Sequence, residues 1–247
     1  YKNTCETTIG SATFTNNFVQ YITAGNYWDT SNDFKPLMHT WYLGVIFQFY
    51  VLYPLIFMFC HRFTKNFAST SKMVLWAVFA CSLLFFLLPG IDSAVTFYLL
   101  PARLYEFAAG GLIALSGLEQ ERTNSNKKAM ASFLLFAIIL LCINDAYDMA
   151  KVRLLLTVAL SVLIVLYSER TALGEVWKEQ KYLSFFIPLG IASYSLYLWH
   201  QVILAFYRYL FNADFTIWSY LLTIVLSLAV GYGSYLWIEK GITNFIK

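Results

Sequence analysis

Residues 36–60, PLMHTWYLGVIFQFYVLYPLIFMFC, decide the fold. From Trp41 to Cys60 no side chain carries a charge, and about 20 such residues let a helix cross a hydrocarbon core of about 30 Å. The run lacks the strict alternation of a barrel strand. An open strand would also leave its backbone N–H and C=O groups unpaired in lipid. A membrane-crossing helix satisfies both conditions.

Working outward, six further runs of similar character lie near 73–89, 97–117, 129–146, 152–168, 188–210 and 216–238. With 41–60 they predict an all-α, polytopic transmembrane helix bundle of about seven spans. The polar stretch 1–38 then forms an extracytoplasmic segment, and 39–247 forms the transmembrane domain. Composition agrees. Of 247 residues, 59% are hydrophobic and 13% charged, against about 45–50% and about 25% in soluble domains. Too few charges remain to coat a water-facing surface. The aromatic share is 19%, and Trp and Tyr settle at membrane–water boundaries.

The formal net charge of +3 is too small to point to nucleic acid. Cys5, Cys60, Cys81 and Cys142 show no CxxC or Cys/His spacing, so neither a metal site nor a disulfide framework is expected. The sequence opens at Tyr1 without an initiator Met or a charged-then-apolar leader, which leads us to expect further residues upstream.

Lys and Arg set the orientation. The loops near 61–72, 118–128 and 169–182, with the tail after 238, carry eleven; the opposite side carries five, and Arg103 lies within a span. The C-terminus is therefore expected in the cytoplasm. The stretch TALGEVWKEQKYLSFFI (171–187) reads equally as a segment lying on the inner surface and as an ordinary loop.

An ionisable group in the hydrocarbon region costs at least about 2.5–3.5 kcal/mol, so each needs a partner, a wet cavity or a function. Arg103 and Glu106 stand in the third run, three residues apart and on one helix face. At about 1.5 Å per residue they lie roughly 9–14 Å below the outer boundary. Gly110 continues that face and Gly111 follows, small enough for a helix or ligand to approach. An ion pair that only holds the bundle together fits these residues equally well. His200 lies mid-span, with Ser193 and Tyr197 near its face; a hydrogen-bonded packing histidine is the plainer alternative. His39 stands at the mouth of the first span. Gln48, on the Trp41–Gly44 face, needs a partner for its amide. Together these side chains predict a polar pocket at or above mid-depth.

Four stretches resemble acyltransferase family 3: PLMHTWYLGVIFQFYVLYPLIF (36–57), FYLLPARLYEFAAGGLIAL (97–115), LGIASYSLYLWHQVI (189–203) and YLWIEKG (235–241). The resemblance implies a multi-pass inner-membrane O-acyltransferase. Such an enzyme moves an acetyl or similar group from acetyl-CoA or another acyl-coenzyme A to a hydroxyl of a cell-surface polysaccharide or glycolipid. It implies no metal. It also implies about ten helices in the whole domain, with an Arg…His pair on an upstream helix central to transfer. Among the residues present it implies catalytic roles for Arg103, Glu106, His39 and His200. Trp41, Gln48, Tyr50, Tyr194, Tyr197 and Trp199 are implied to contact substrate.

Acyl transfer requires removal of the hydroxyl proton and stabilisation of a tetrahedral oxyanion. On this expectation Arg103 stabilises negative charge, Glu106 orients it, and the two histidines shape the acceptor pocket. One departure stands out. Where the family has Glu-Glu before Gln-Phe-Tyr, this chain has Ile46 and Phe47, which leaves an inactive family member as one alternative. A membrane transporter of a glycan or small metabolite is the other, since buried Arg, Glu and His serve that task too.

Overall fold

A computed structural model describes residues 2–23, 34–63, 66–115, 133–137, 150–168, 186–211 and 216–246. Among these residues the chain is almost wholly helical, with no strand. The helices are α1 (Lys2–Ala12), α2 (Asn16–Thr23), α3 (Trp41–Phe63), α4 (Phe67–Leu87), α5 (Ser93–Tyr98), α6 (Leu104–Leu115), α7 (Ala150–Ser168), α8 (Phe186–Ile191), α9 (Ser193–Phe211), α10 (Ile217–Ser234) and α11 (Lys240–Ile246). A 3-10 turn, Met38–Thr40, leads into α3, and a π-helical turn, Tyr235–Glu239, joins α10 to α11.

Among the described residues, three stretches are long and apolar enough to cross a membrane: Met38–Arg62, Phe67–Leu87 and Ile217–Thr243. They coincide with the first, second and seventh expected spans; the count of seven is not established by them. The fourth expected span, 129–146, and the stretch 171–187 lie largely outside the described residues. The sixth expected span runs from Phe186 to Phe211 with one turn at Ala192. Backbone bonding continues through it, Ala192 N–H to Pro188 O and Leu196 N–H to Ala192 O, each 3.0 Å.

The third expected span, 97–117, is not one helix. Leu99 is extended (φ −98°, ψ 139°), and a 3-10 turn, Leu100–Ala102, separates α5 from α6. Pro101 is the cause, because it has no N–H to continue the ladder and fits only the start of a new turn.

The described residues form two compact units, 1–50 with 181–247, and 51–180. In the second, Phe86, Ala102 and Tyr105 form a core flanked by Phe79, Leu83 and Leu155. The Ser82 hydroxyl repairs the broken ladder there. It donates to Pro101 O at 2.6 Å and accepts from Tyr105 N–H at 2.9 Å, two groups that would bond each other in an unbroken helix.

In the first unit, α1 and α2 turn sharply at Phe14, whose φ of 56° lies in the left-handed region. The corner sits on Gly44 of α3. A Cβ there would come within 2.8 Å of both Asn17 Oδ1 and Phe14 O, so only glycine fits. Gly231 of α10 packs as closely on α9, where a Cβ would meet Leu196 Cα at 2.9 Å. Close approach at small residues is how helices gain contact without a hydrophobic drive in lipid.

Candidate active site

The Pro101 break positions Arg103. In a continuous helix the N–H at 101 would bond the Phe97 carbonyl; proline leaves that acceptor open, and Arg103 Nε donates to it at 3.1 Å. The guanidinium also lies 5.1 Å from the centre of the Phe97 ring. Its Nη1 meets Glu106 Oε1 at 2.7 Å, with the two side chains only 6% and 15% exposed. The pair predicted from the spacing is therefore formed, and the buried charge is neutralised on the spot. Glu106 and Gly110 line a cavity of about 360 Å³ whose α7 wall includes Thr157 and Ser161. Open space stands beside Gly110, while Gly111 packs against Leu75 and Tyr53. Of the two glycines, Gly110 gives a ligand access.

In the other unit, His39, Tyr197 and His200 come together. The Tyr197 hydroxyl donates to the His39 backbone carbonyl. The rings of His39 and Tyr197 meet edge to face at 4.9 Å, and those of His39 and His200 at 5.0 Å. His200 Nδ1 lies 2.6 Å from the Tyr197 carbonyl. A carbonyl only accepts, so Nδ1 carries the proton, and the neutral ring keeps its lone pair on Nε2. No protein group among the described residues bonds that atom. Among the described residues, neither buried ring nitrogen of His39 has a hydrogen-bond partner. Such groups are rare in folded proteins and call for an explanation.

Gln48 finds the partner it needs, donating to Asn17 Oδ1 at 2.9 Å. Asn17 stands beside a network that the sequence reading missed. Asn16 Nδ2 donates to Leu37 O at 2.9 Å and Thr40 Oγ1 at 2.8 Å, and Gln20 donates to Asn16 Oδ1 at 3.3 Å. Ser11 shares a hydrogen bond with Thr40 at 2.6 Å. Asn16, Asn17 and Gln20 are fully buried. Their signal lay in the sequence as three amides on one turn of a charge-free stretch, within reach of the motif that holds His39. Equally unforeseen is the bond from Ser195, buried on α9, to Glu239 in the π turn.

Trp41 begins α3 beside the Tyr42 ring. Tyr50, Tyr194 and Trp199 are exposed, and no hydrogen bond or ring contact joins them to either imidazole. At the departure from the family motif, Phe47 stacks on Phe14 with centroids 4.7 Å apart and planes 15° apart. The position that carries a carboxylate in the motif supports the α1–α2 corner in this chain.

The family described as an acyltransferase domain, acyltransferase family 3, matches residues 6–236. A Bacillus subtilis protein named "Putative peptidoglycan O-acetyltransferase YrhL" is 26% identical, over 88% of this chain and 36% of its own length. The "O-acetyltransferase OatA" of Staphylococcus aureus is 26% identical, over 84% of this chain and 36% of its own. The chain thus spans about a third of the length of these curated relatives. No solved structure matches it. A match that runs from α1 to the π turn, and takes in the Arg103–Glu106 pair and both histidines, makes this chain a member of acyltransferase family 3.

Proposed function

We propose that the protein is a multi-pass O-acyltransferase of the cytoplasmic membrane that moves an acetyl or similar acyl group from acyl-coenzyme A to a hydroxyl of a cell-envelope polysaccharide or glycolipid. The family supports the acyltransferase class, and the peptidoglycan in one relative's name supports a glycan acceptor. In this reading the C-terminus lies in the cytoplasm and residues 1–38 lie toward the outer side.

The observation that carries the site assignment is the bond from His200 Nδ1 to the Tyr197 carbonyl. With its proton fixed there, Nε2 accepts the hydrogen bond of the acceptor hydroxyl and orients its oxygen toward the acyl carbonyl. The hydroxyl oxygen bonds the thioester carbon, the hydroxyl proton passes to the upstream histidine that the family resemblance implies, and the tetrahedral oxyanion collapses to expel coenzyme A thiolate. In the other unit Glu106 holds the Arg103 guanidinium in place, a fixed positive charge suited to the phosphates of an acyl-coenzyme A. The test is transfer of acetyl from acetyl-coenzyme A to a peptidoglycan oligosaccharide by the protein in lipid vesicles, followed by mass spectrometry. Acetylated product supports the reading; coenzyme A release and product both at background refute it.

A further inference from the structure

We infer that the α1–α2 corner is embedded in lipid, with its apolar face against acyl chains rather than in water. The evidence begins with α2, which is folded inside out for a soluble helix. Its amides point inward: Asn16 and Asn17 have no exposed surface and Gln20 is 1% exposed. Its apolar side chains point outward, Phe18 at 45% and Ile22 at 72% exposed. Phe14 and Ile9 extend the outward surface on the other side of the turn. In water a helix buries its apolar stripe and shows its polar face. Here the assignment is reversed.

Three further observations identify the occupant of that surface. Residues 7–23 contain no Asp, Glu, Lys or Arg, so nothing on the corner calls for water at the cost a charge imposes. Four hydroxyls of the corner are satisfied within the chain. Thr8, Ser11, Thr13 and Thr23 each donate to the carbonyl four residues back, at 2.6–2.9 Å. This bonding lets Ser and Thr sit in hydrocarbon. Finally, Phe14 stacks on Phe47, an outward residue of Met38–Arg62, one of the three stretches able to cross a membrane. The exposed surface of the corner therefore continues that of a membrane-crossing helix. A soluble partner protein would meet none of these conditions better than a bilayer does.

Residues 7–23 thus leave the aqueous phase expected for a polar segment 1–38, and their amides form a polar layer between lipid and α3. The inference is independent of which acyl group or acceptor the enzyme uses.

The experiment places a nitroxide at Phe18→Cys or Ile22→Cys, with the native cysteines replaced, in the full protein in vesicles of phosphatidylethanolamine and phosphatidylglycerol. Leu221→Cys and Val225→Cys, exposed on α10, give the membrane reference. Lipid exposure predicts oxygen collisions several-fold above those with a water-soluble nickel chelate, matching the reference sites. Nickel collisions that dominate would place the face in water. Suppression of both would place it under protein, whether another segment or a second copy. Either result overturns the inference. Should the cysteine variants fold poorly, Phe18→Trp and Ile22→Trp with brominated acyl chains provide the same decision: strong quenching supports lipid contact, and none rejects it.

Discussion

The imidazole of His200 meets that of His39 edge to face, with ring centroids 5.0 Å apart. The two residues come from opposite ends of the sequence. Tyr197 joins them, passing its hydroxyl to the His39 carbonyl and its own carbonyl to His200. The carbonyl bond fixes the proton of His200 on Nδ1, and the proposed acceptor-side chemistry rests on the other nitrogen.

Tyr197→Phe removes the hydroxyl but keeps the ring. A hydrogen bond contributes a net of about 0.5–1.5 kcal/mol, so stability should fall by about 1 kcal/mol while the edge-to-face contacts persist. The 3-10 turn carrying His39 loses its tie to α9, and acetyl transfer should drop several-fold through a raised KM for the acceptor. Thermal melts and steady-state kinetics check the two parts separately.

The Arg103–Glu106 pair has a structural role and, in the proposed reaction, a chemical one, and paired substitutions separate them. Glu106→Gln removes the carboxylate that pairs with the buried guanidinium, a loss of about 3–5 kcal/mol. Replacing both, Arg103→Met with Glu106→Leu, removes the desolvated charges together and should restore most of that stability. Transfer should stay at background in the double variant. Recovery of activity along with stability would reduce the pair to a structural element.

Ser82→Ala tests the repaired ladder. Without the hydroxyl, Pro101 O and the buried Tyr105 N–H lose their partner, at about 1–3 kcal/mol for a buried unsatisfied group. Melting temperature should fall clearly, and Ser82→Thr, which keeps the hydroxyl, should fall less.

Phe47→Glu restores the carboxylate of the family motif at one of its two positions. If the departure were a simple loss of a catalytic group, transfer would rise. The structure predicts the reverse. The stack on Phe14, worth about 0.5–1.5 kcal/mol, is lost, and a charge is placed on an outward face of a helix long and apolar enough to cross a membrane. Yield and melting temperature should both decrease, with no gain in transfer.

Much of this was legible in the sequence because apolar length and intramembrane charge are local signals. The runs at 41–60, 73–89 and 216–238 each meet a helix able to cross a membrane. Arg103 and Glu106 pair as their spacing of three demands. What stayed hidden depends on contacts distant in sequence. Pro101 was visible, but not that Ser82, nineteen residues earlier, inserts its hydroxyl into the break. Gln48 needed a partner, yet nothing near it in sequence named Asn17. The segment 1–38 read as polar from its residue types alone, whereas the direction each side chain faces emerges only once α2 docks on Gly44.

The most direct test of the catalytic account is acetyl transfer by His200→Ala in lipid vesicles, beside the unaltered protein at equal membrane abundance. The account predicts that transfer to a glycan hydroxyl falls by about 10²-fold through lost positioning of the acceptor, with the protein still folded by its melting curve. Transfer within twofold of the unaltered protein would contradict it.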